Sequence, residues 1–133
     1  MRTVNTILIA TLTALTLACG YSAKTTPPVA GSVPVISQLN PSSTTAGDPA
    51  FTLTVTGTSF GTKAVVNWNG IAQTANTAYV SSTQLTVAVP ATAVATSGTV
   101  QVTVTNPGTA GTGQYGGGGT LPETSMPMAF TIN

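Results

Sequence analysis

From residue 34 onward the chain alternates apolar and polar positions in short runs with a period of two, the pattern of strands buried on one face. FTLTVTG puts Phe51, Leu53 and Val55 on one side and Thr52, Thr54 and Thr56 on the other. In AVVNWNG, Val66 and Trp68 oppose Asn67 and Asn69. QLTVAVP groups Leu85, Val87 and Val89; TVQVTVTNP groups Val100, Val102 and Val104; PMAFTIN groups Met128, Phe130 and Ile132. VPVISQL supplies an earlier strand, with a proline that suits a sheet edge. Clusters of Gly, Pro, Asn and Ser separate the runs, and VPATAVATSG is too short and too rich in β-branched residues for more than a turn of helix. About six or seven half-buried strands in ~100 residues predict an all-β fold, an antiparallel β-sandwich of about seven strands. One apolar face per strand gives a single core, which a domain of this size can build without a disulfide.

Details follow from the same pattern. Phe51, Phe60, Trp68 and Phe130 are expected in the core. Gly57 and Gly61 bracket a tight loop in which positive φ is expected, with Phe60 plugging the end of the sandwich. Gly70 ends a strand at a turn, and Pro90, having no N–H to donate, stops the Leu85–Val89 strand. The glycine-rich stretch Gly108–Ser125 has no apolar alternation and is expected to form a long, mobile hairpin loop outside the core. Tyr115 lies within it and Tyr79 borders a strand, so both are candidate ligand contacts.

The first residues follow a different pattern. MRTVNTILIATLTALTLAC carries one positive charge, Arg2, and then a mostly apolar, uncharged run from Ile7 to Ala18. These are the n-region and h-region of a secretory signal peptide, and the run is shorter than the ~20 residues of a membrane-spanning helix. It ends in Leu17-Ala18-Cys19-Gly20, which resembles the lipobox of bacterial lipoproteins, although leucine stands two residues before the cysteine rather than three. That resemblance implies cleavage after Ala18 and a diacylated Cys19 as the mature N-terminus, giving a membrane anchor of two or more acyl chains. Gly20, where a retention signal would carry Asp, is similar to cargo sent to the outer membrane in Gram-negative sorting. The alternative is a soluble secreted product cut at Ala18 or near Ala23. The stretch GYSAKTTPPVAGS reads as a tether, able to reach about 40 Å when extended. The expected organisation is a signal peptide over 1–18, a lipidated N-terminus and flexible tether over 19–33, and the sandwich over 34–133.

Composition narrows the chemistry. Charged residues make up 4% of the chain, against about 25% in an ordinary soluble domain. They are Arg2, Lys24, Lys63, Asp48 and Glu123, and there is no histidine. Threonine and serine, at 28 and 10 residues, fill the polar positions instead. Two lysines beyond the leader cannot neutralise a run of phosphates, so no nucleic acid partner is expected. Neither thiol nor imidazole pairs are present to hold zinc, and two carboxylates do not build a calcium cage, so no metal is expected. GQYGGGG lacks the Lys-Ser/Thr and the helix of a phosphate-cradling loop, and no cofactor is expected.

One order of motifs points to a family. Pro34, Pro41, Gly47, Leu53-x-Val55-x-Gly57, Phe60-Gly61, Val66-x-Trp68-x-Gly70, Thr83-x-Leu85, Val89-Pro90, Gly98, Val102-x-Val104, Asn106-Pro107 and Phe130-x-Ile132 together resemble the IPT/TIG domain. The resemblance covers residues 34–133, departs between Pro107 and Met126, and implies an immunoglobulin-like sandwich. It brings no catalytic residues, and such domains occur in receptor ectodomains, as accessory modules of secreted polysaccharide-acting enzymes, and in some transcription factors. Enzyme readings also fail on inventory. A serine triad needs a histidine, and a glycosidase needs two carboxylates about 5–9.5 Å apart. In an immunoglobulin-like order Asp48 and Glu123 fall in loops at opposite ends. The expectation is therefore a non-catalytic binding or adhesion module of an exported lipoprotein, contacting a glycan or another envelope protein. The alternatives are a structural component associating through sheet edges and a soluble secreted accessory domain.

Overall fold

The computed structural model describes residues 26–112 and 117–133. Ten strands follow one another as β1 (Val35–Asn40), β2 (Ser43–Thr44), β3 (Phe51–Thr58), β4 (Val65–Trp68), β5 (Ile71–Ala72), β6 (Thr77–Ser81), β7 (Gln84–Val89), β8 (Gly98–Asn106), β9 (Glu123–Thr124) and β10 (Met128–Ile132). Between β7 and β8 lies one turn of 3-10 helix, Ala91–Val94. One sheet has the order β1-β3-β7-β6; the other has β2-β10-β8-β4-β5, with β9 also on β8. The β2–β10 pair is parallel and the other strand pairs are antiparallel. Seven principal strands in these two orders form the β-sandwich expected from the alternation, in the immunoglobulin-like arrangement that the family resemblance implies.

The period-two phase decides what is buried. Leu53 and Val55 of β3, Leu85, Val87 and Val89 of β7, Val66 and Trp68 of β4, Val100, Val102 and Val104 of β8, and Phe130 and Ile132 of β10 all point into one core. Phe130 is fully buried; its ring lies 5.9 Å from Phe51 of the opposite sheet at 16°, and 5.1 Å from Trp68 at 55°. Each Val, Leu or Phe side chain taken fully out of water contributes ~1.5–3 kcal/mol. Threonine occupies much of the outward phase and is held by neutral hydrogen bonds. Asn67 Nδ2 donates to Thr103 Oγ1 (3.0 Å) and Thr105 Oγ1 (2.9 Å), and the Thr105 and Thr124 hydroxyls are 2.8 Å apart.

Phe60 plugs one end of the sandwich as expected, but the glycines around it act differently. In this loop the positive φ, 60°, belongs to Ser59, not to Gly57 or Gly61. Gly57 lies within β3, where a Cβ would collide with the Val35 carbonyl oxygen and the Phe60 ring, so close approach demands glycine there. The Gly61 N–H donates to Asn106 Oδ1 at 2.8 Å. Asn106, buried at the end of β8, also donates through Nδ2 to the carbonyls of Ser32 and Ser59, both at 2.8 Å. One neutral amide thus ties the entry to β1, the β3–β4 loop and β8 together. A buried amide so engaged is favourable, and unpairing it would strand its three partners.

The expectation of an unpaired loop over 108–125 is overturned at its described ends. Thr109 and Thr120 exchange backbone hydrogen bonds of 3.1 and 3.0 Å, β9 pairs with β8 at Thr105 and Asn106, and Ser125 is buried. The reason is the length of β8. Strand β10 covers Gly98–Val102 alone, which leaves the Val104 backbone open on that edge. The Val104 N–H donates to Ser125 Oγ at 2.9 Å and the Ser125 N–H donates to the Val104 carbonyl at 2.8 Å, satisfying both groups. Gly119 serves closeness as well, because a Cβ there would strike the Thr109 carbonyl oxygen. Residues read as the outer part of the tether run along the domain: the Val29 N–H donates to the Gly119 carbonyl and its carbonyl accepts from Leu121, at 2.9 and 3.0 Å. Strand β6 was not read as a strand, since Thr77-Ala78-Tyr79-Val80-Ser81 shows no clean apolar phase, and its pairing with β7 creates it.

Two measurements check this account. Phe130→Ala is expected to lower unfolding free energy by ~3–5 kcal/mol in urea titrations. Asn106→Ala leaves the Gly61 N–H and the Ser32 and Ser59 carbonyls without their amide partner, and is expected to cost at least ~1–3 kcal/mol in the same titration.

Candidate functional site

Cys19, the expected lipidation site, and Tyr115, a candidate contact, lie outside the described residues. Tyr79 sits on β6, at the edge of its sheet. It pairs with Leu85, which puts it on the core-facing side, and it is 39% exposed at the margin of the core. Val80, in the irregularity between Tyr79 and Ser81, is 53% exposed. The two carboxylates of the domain are far apart. Asp48 is next to Gly47, whose N–H donates to the Val94 carbonyl at the Gly98 end of β8, whereas Glu123 pairs with Asn106 at the other end. Nine residues of strand separate those ends, roughly 26 Å. Among the described residues no group of three or more His, Cys, Asp or Glu could hold a metal ion, and no helix is long and apolar enough to cross a membrane.

A cleft of about 420 Å³ opens at the Gly98 end. Three chain segments build it for local reasons. Asn69 and Gly70 form the two-residue turn between β4 and β5, with φ of 49° and 81°, the left-handed pair that Asn-Gly accommodates in a hairpin. Pro90 ends β7 and starts the 3-10 turn, whose Ala93 N–H donates to the Pro90 carbonyl at 2.9 Å. Thr96–Thr99 then leads into β8. The Asn69 N–H, bonded to the Gln101 carbonyl at 2.9 Å, fixes the hairpin turn beside that strand. Trp68, Val89, Val100 and Ile132 form the floor where the two sheets part.

The rim is hydrogen-bonding and uncharged. Asn69, Gln73, Thr96, Ser97 and Thr99 line it, and none of the lining residues is ionisable. Gln73 is braced: its Nε2 donates to the Ile71 carbonyl and its Oε1 accepts from Asn76, both at 3.2 Å. Within the described residues the side chains of Asn69, Thr96, Ser97 and Thr99 have no hydrogen-bond partner and face solvent. Ile71, 67% exposed, adds an apolar lip. Such a site can bind and orient a neutral molecule through hydrogen bonds and apolar contact. Sequence reading missed this cleft. The Asn-Gly turn marked one wall; its meeting with Pro90 and with residues 96–99 follows from the pairing of β4 with β8.

The model of the IPT/TIG domain matches residues 34–121. No curated protein and no solved structure matches the chain. The matched span ends before β10, while the sandwich continues through Ile132.

The loop bordering this end contains Asp48, whose titration is displaced. Thr44 Oγ1 donates to Asp48 Oδ2 at 2.6 Å, and the Thr45 N–H donates to the same oxygen at 2.9 Å; both hold the Asp48 carboxyl below the usual aspartate value. A carboxylate depressed on folding stabilises the fold above its unfolded value and loses that contribution as pH falls through its folded value. The wild type is therefore expected to melt higher than Asp48→Asn at neutral pH. The gap should shrink on acidification below the ordinary carboxylate range, as read from paired melting curves across pH.

Proposed function

The chain belongs to the IPT/TIG domain family, and on that basis we propose that it is a non-catalytic binding module, exported and held at the cell envelope through acylated Cys19. An IPT/TIG domain is an immunoglobulin-like module, typically without enzymatic activity of its own. The observation that carries the binding reading is the separation of functional groups in the fold. The two carboxylates stand at opposite ends of β8, and the cleft at the Gly98 end is lined by polar side chains without any ionisable group. Proximity of an acid and a base is what catalysis by two carboxylates needs, and this arrangement denies it. Neutral amides and hydroxyls beside an apolar floor suit recognition by hydrogen bonding and contact, with little electrostatic steering. The partner in this reading is a glycan or another envelope protein.

Export and anchoring rest on the leader: Arg2, the uncharged run Ile7–Ala18, and Leu17-Ala18-Cys19-Gly20. In a Gram-negative cell Gly20 directs the protein to the outer membrane; release as a soluble secreted protein is the competing outcome. A second reading, assembly through sheet edges, is favoured by β6. That edge exposes Tyr79 and Val80 and contains neither lysine nor proline, the usual guards of an open edge. Edge β1, by contrast, has an irregular register between Ile36 and Gln38 and is flanked by Pro34 and Pro41.

In the native host, or a bacterial host with lipoprotein processing, Cys19→Ser is expected to abolish incorporation of labelled palmitate and to move the protein from the membrane to the soluble fraction. Unchanged labelling and fractionation would remove the anchor from this account. Purified protein is expected to be captured on a glycan array or to retain an envelope protein in a pull-down. If it instead forms concentration-dependent oligomers that Val80→Lys disperses, association through the β6 edge takes the place of the binding role.

A further inference from the structure

We infer that the cleft at the Gly98 end is a binding site for a neutral carbohydrate, of about mono- to disaccharide size, and that Asn69 supplies a specific hydrogen bond at its rim. The inference rests on the binding-module reading and names the site and the ligand class for it.

Three observations converge. The first is the match of polarity. A sugar ring presents apolar C–H faces and an equator of hydroxyls that both donate and accept. The cleft presents an apolar floor of Val89, Val100, Ile132 and the edge of Trp68, surrounded by amides and hydroxyls that also donate and accept. A rim built from carboxylates or lysines would select ions; this one has none. Uronic or sulfated sugars would enter without any counter-charge, and desolvating their anionic groups there is unfavourable. The second observation is that these polar groups are free. Asn69, Thr96 and Ser97 stand at the rim without internal partners among the described residues, while neighbouring Gln73 is locked by Ile71 and Asn76. The third is rigidity. Asn69 is held by a two-residue turn and by its N–H bond to Gln101, so little ordering accompanies binding. The volume, about 420 Å³, falls within the roughly 300–1,000 Å³ of small-molecule sites. An extended peptide fits less well. Strand addition needs an open edge of several residues, and the edge at this cleft is β5, two residues long.

Trp68 is the chain's single tryptophan and forms part of the floor, so its emission reports occupancy of this cleft. The probes are neutral oligosaccharides of two to four glucose, mannose, galactose or N-acetylglucosamine units, with galacturonic acid oligomers as the anionic comparison. A neutral probe is expected to change Trp68 emission saturably, with an affinity that is unchanged between low and high salt, and the galacturonates are expected to leave it unaltered. Asn69→Gly keeps the turn, because glycine accepts its positive φ, and removes the amide. Thr99→Val, on the outward phase of β8, is the control. Asn69→Gly is expected to weaken binding at least tenfold and Thr99→Val to leave it unchanged, while the melting temperature of each stays within a few degrees of wild type. Neutral-glycan binding that leaves Trp68 emission and the Asn69→Gly variant unaffected would overturn the cleft assignment but keep the binding module. Binding of anionic glycans alone, or of a protein alone, would overturn the ligand class and keep the module. Failure to bind any glycan or envelope protein would overturn both.

Discussion

The two sheets of this sandwich meet through the ring of Phe130. It lies on β10, packs against Trp68 of β4 within its own sheet, and stacks on Phe51 of β3 in the other. Every other core residue enters in the phase this contact requires: Leu53 and Val55 from one side, Val66, Val100 and Val102 from the other. Because side chains alternate with a period of two, a slip of one residue in β10 would turn Phe130 to solvent and bring Ala129 and Thr131 inward. Burial of this one aromatic therefore fixes the register of β10 on β8, and with it where β10 ends. The unpaired stretch of β8 beyond that point is what Ser125 and β9 complete.

At the other end of β8 the constraint is polar. Asn106 occupies the inward phase after Val100, Val102 and Val104, where an apolar residue would continue the stripe. Its amide instead bonds three backbone groups separated by 45 to 74 residues of sequence. In a chain with so few charges, neutral hydrogen bonds do what ion pairs do elsewhere, closing loops and joining strands. The same economy runs over the outer face, where Asn67 reaches Thr103 and Thr105, and Thr105 meets Thr124. Threonine suits both demands, since its β-branch fits a pleated surface and its hydroxyl bonds its neighbour.

The two ends consequently differ in what they leave free. Around Asn106 the buried amide is engaged by the protein itself, and the cleft beside it carries a cation, Lys63. Around Gly98, β10 and β7 stop at Ile132 and Pro90, the sheets part, and the floor of the core is reached from outside through a rim of unengaged amides and hydroxyls. This asymmetry, rather than any single reactive residue, is why recognition is assigned to that end.

Much of the fold was legible in the chain because alternation is a local property: Leu53, Trp68, Leu85, Val102 and Phe130 each declare their face within a few neighbours. The Asn69-Gly70 turn and the stop at Pro90 were legible for the same reason, as backbone preferences carried by one or two residues. The reading of residues 1–18 as a leader and of Cys19 as its acylated end rests likewise on sequence alone. Other features depended on distant partners. Strand β6 has no apolar phase of its own and exists because β7 offers it an edge. Gly57 was expected to need positive φ and Gly119 to belong to a mobile loop, but both serve close approach, which only the neighbouring Val35 and Thr109 carbonyls reveal. Ser125 fell in the same expected loop and Asn106 at the end of a strand run, and tertiary structure made them internal hydrogen-bonding partners. The cleft belongs wholly to this second class. Residues 69–73, 88–90, 96–100 and 132 converge only after the sheets have paired, because a concave site is a property of several chain segments at once.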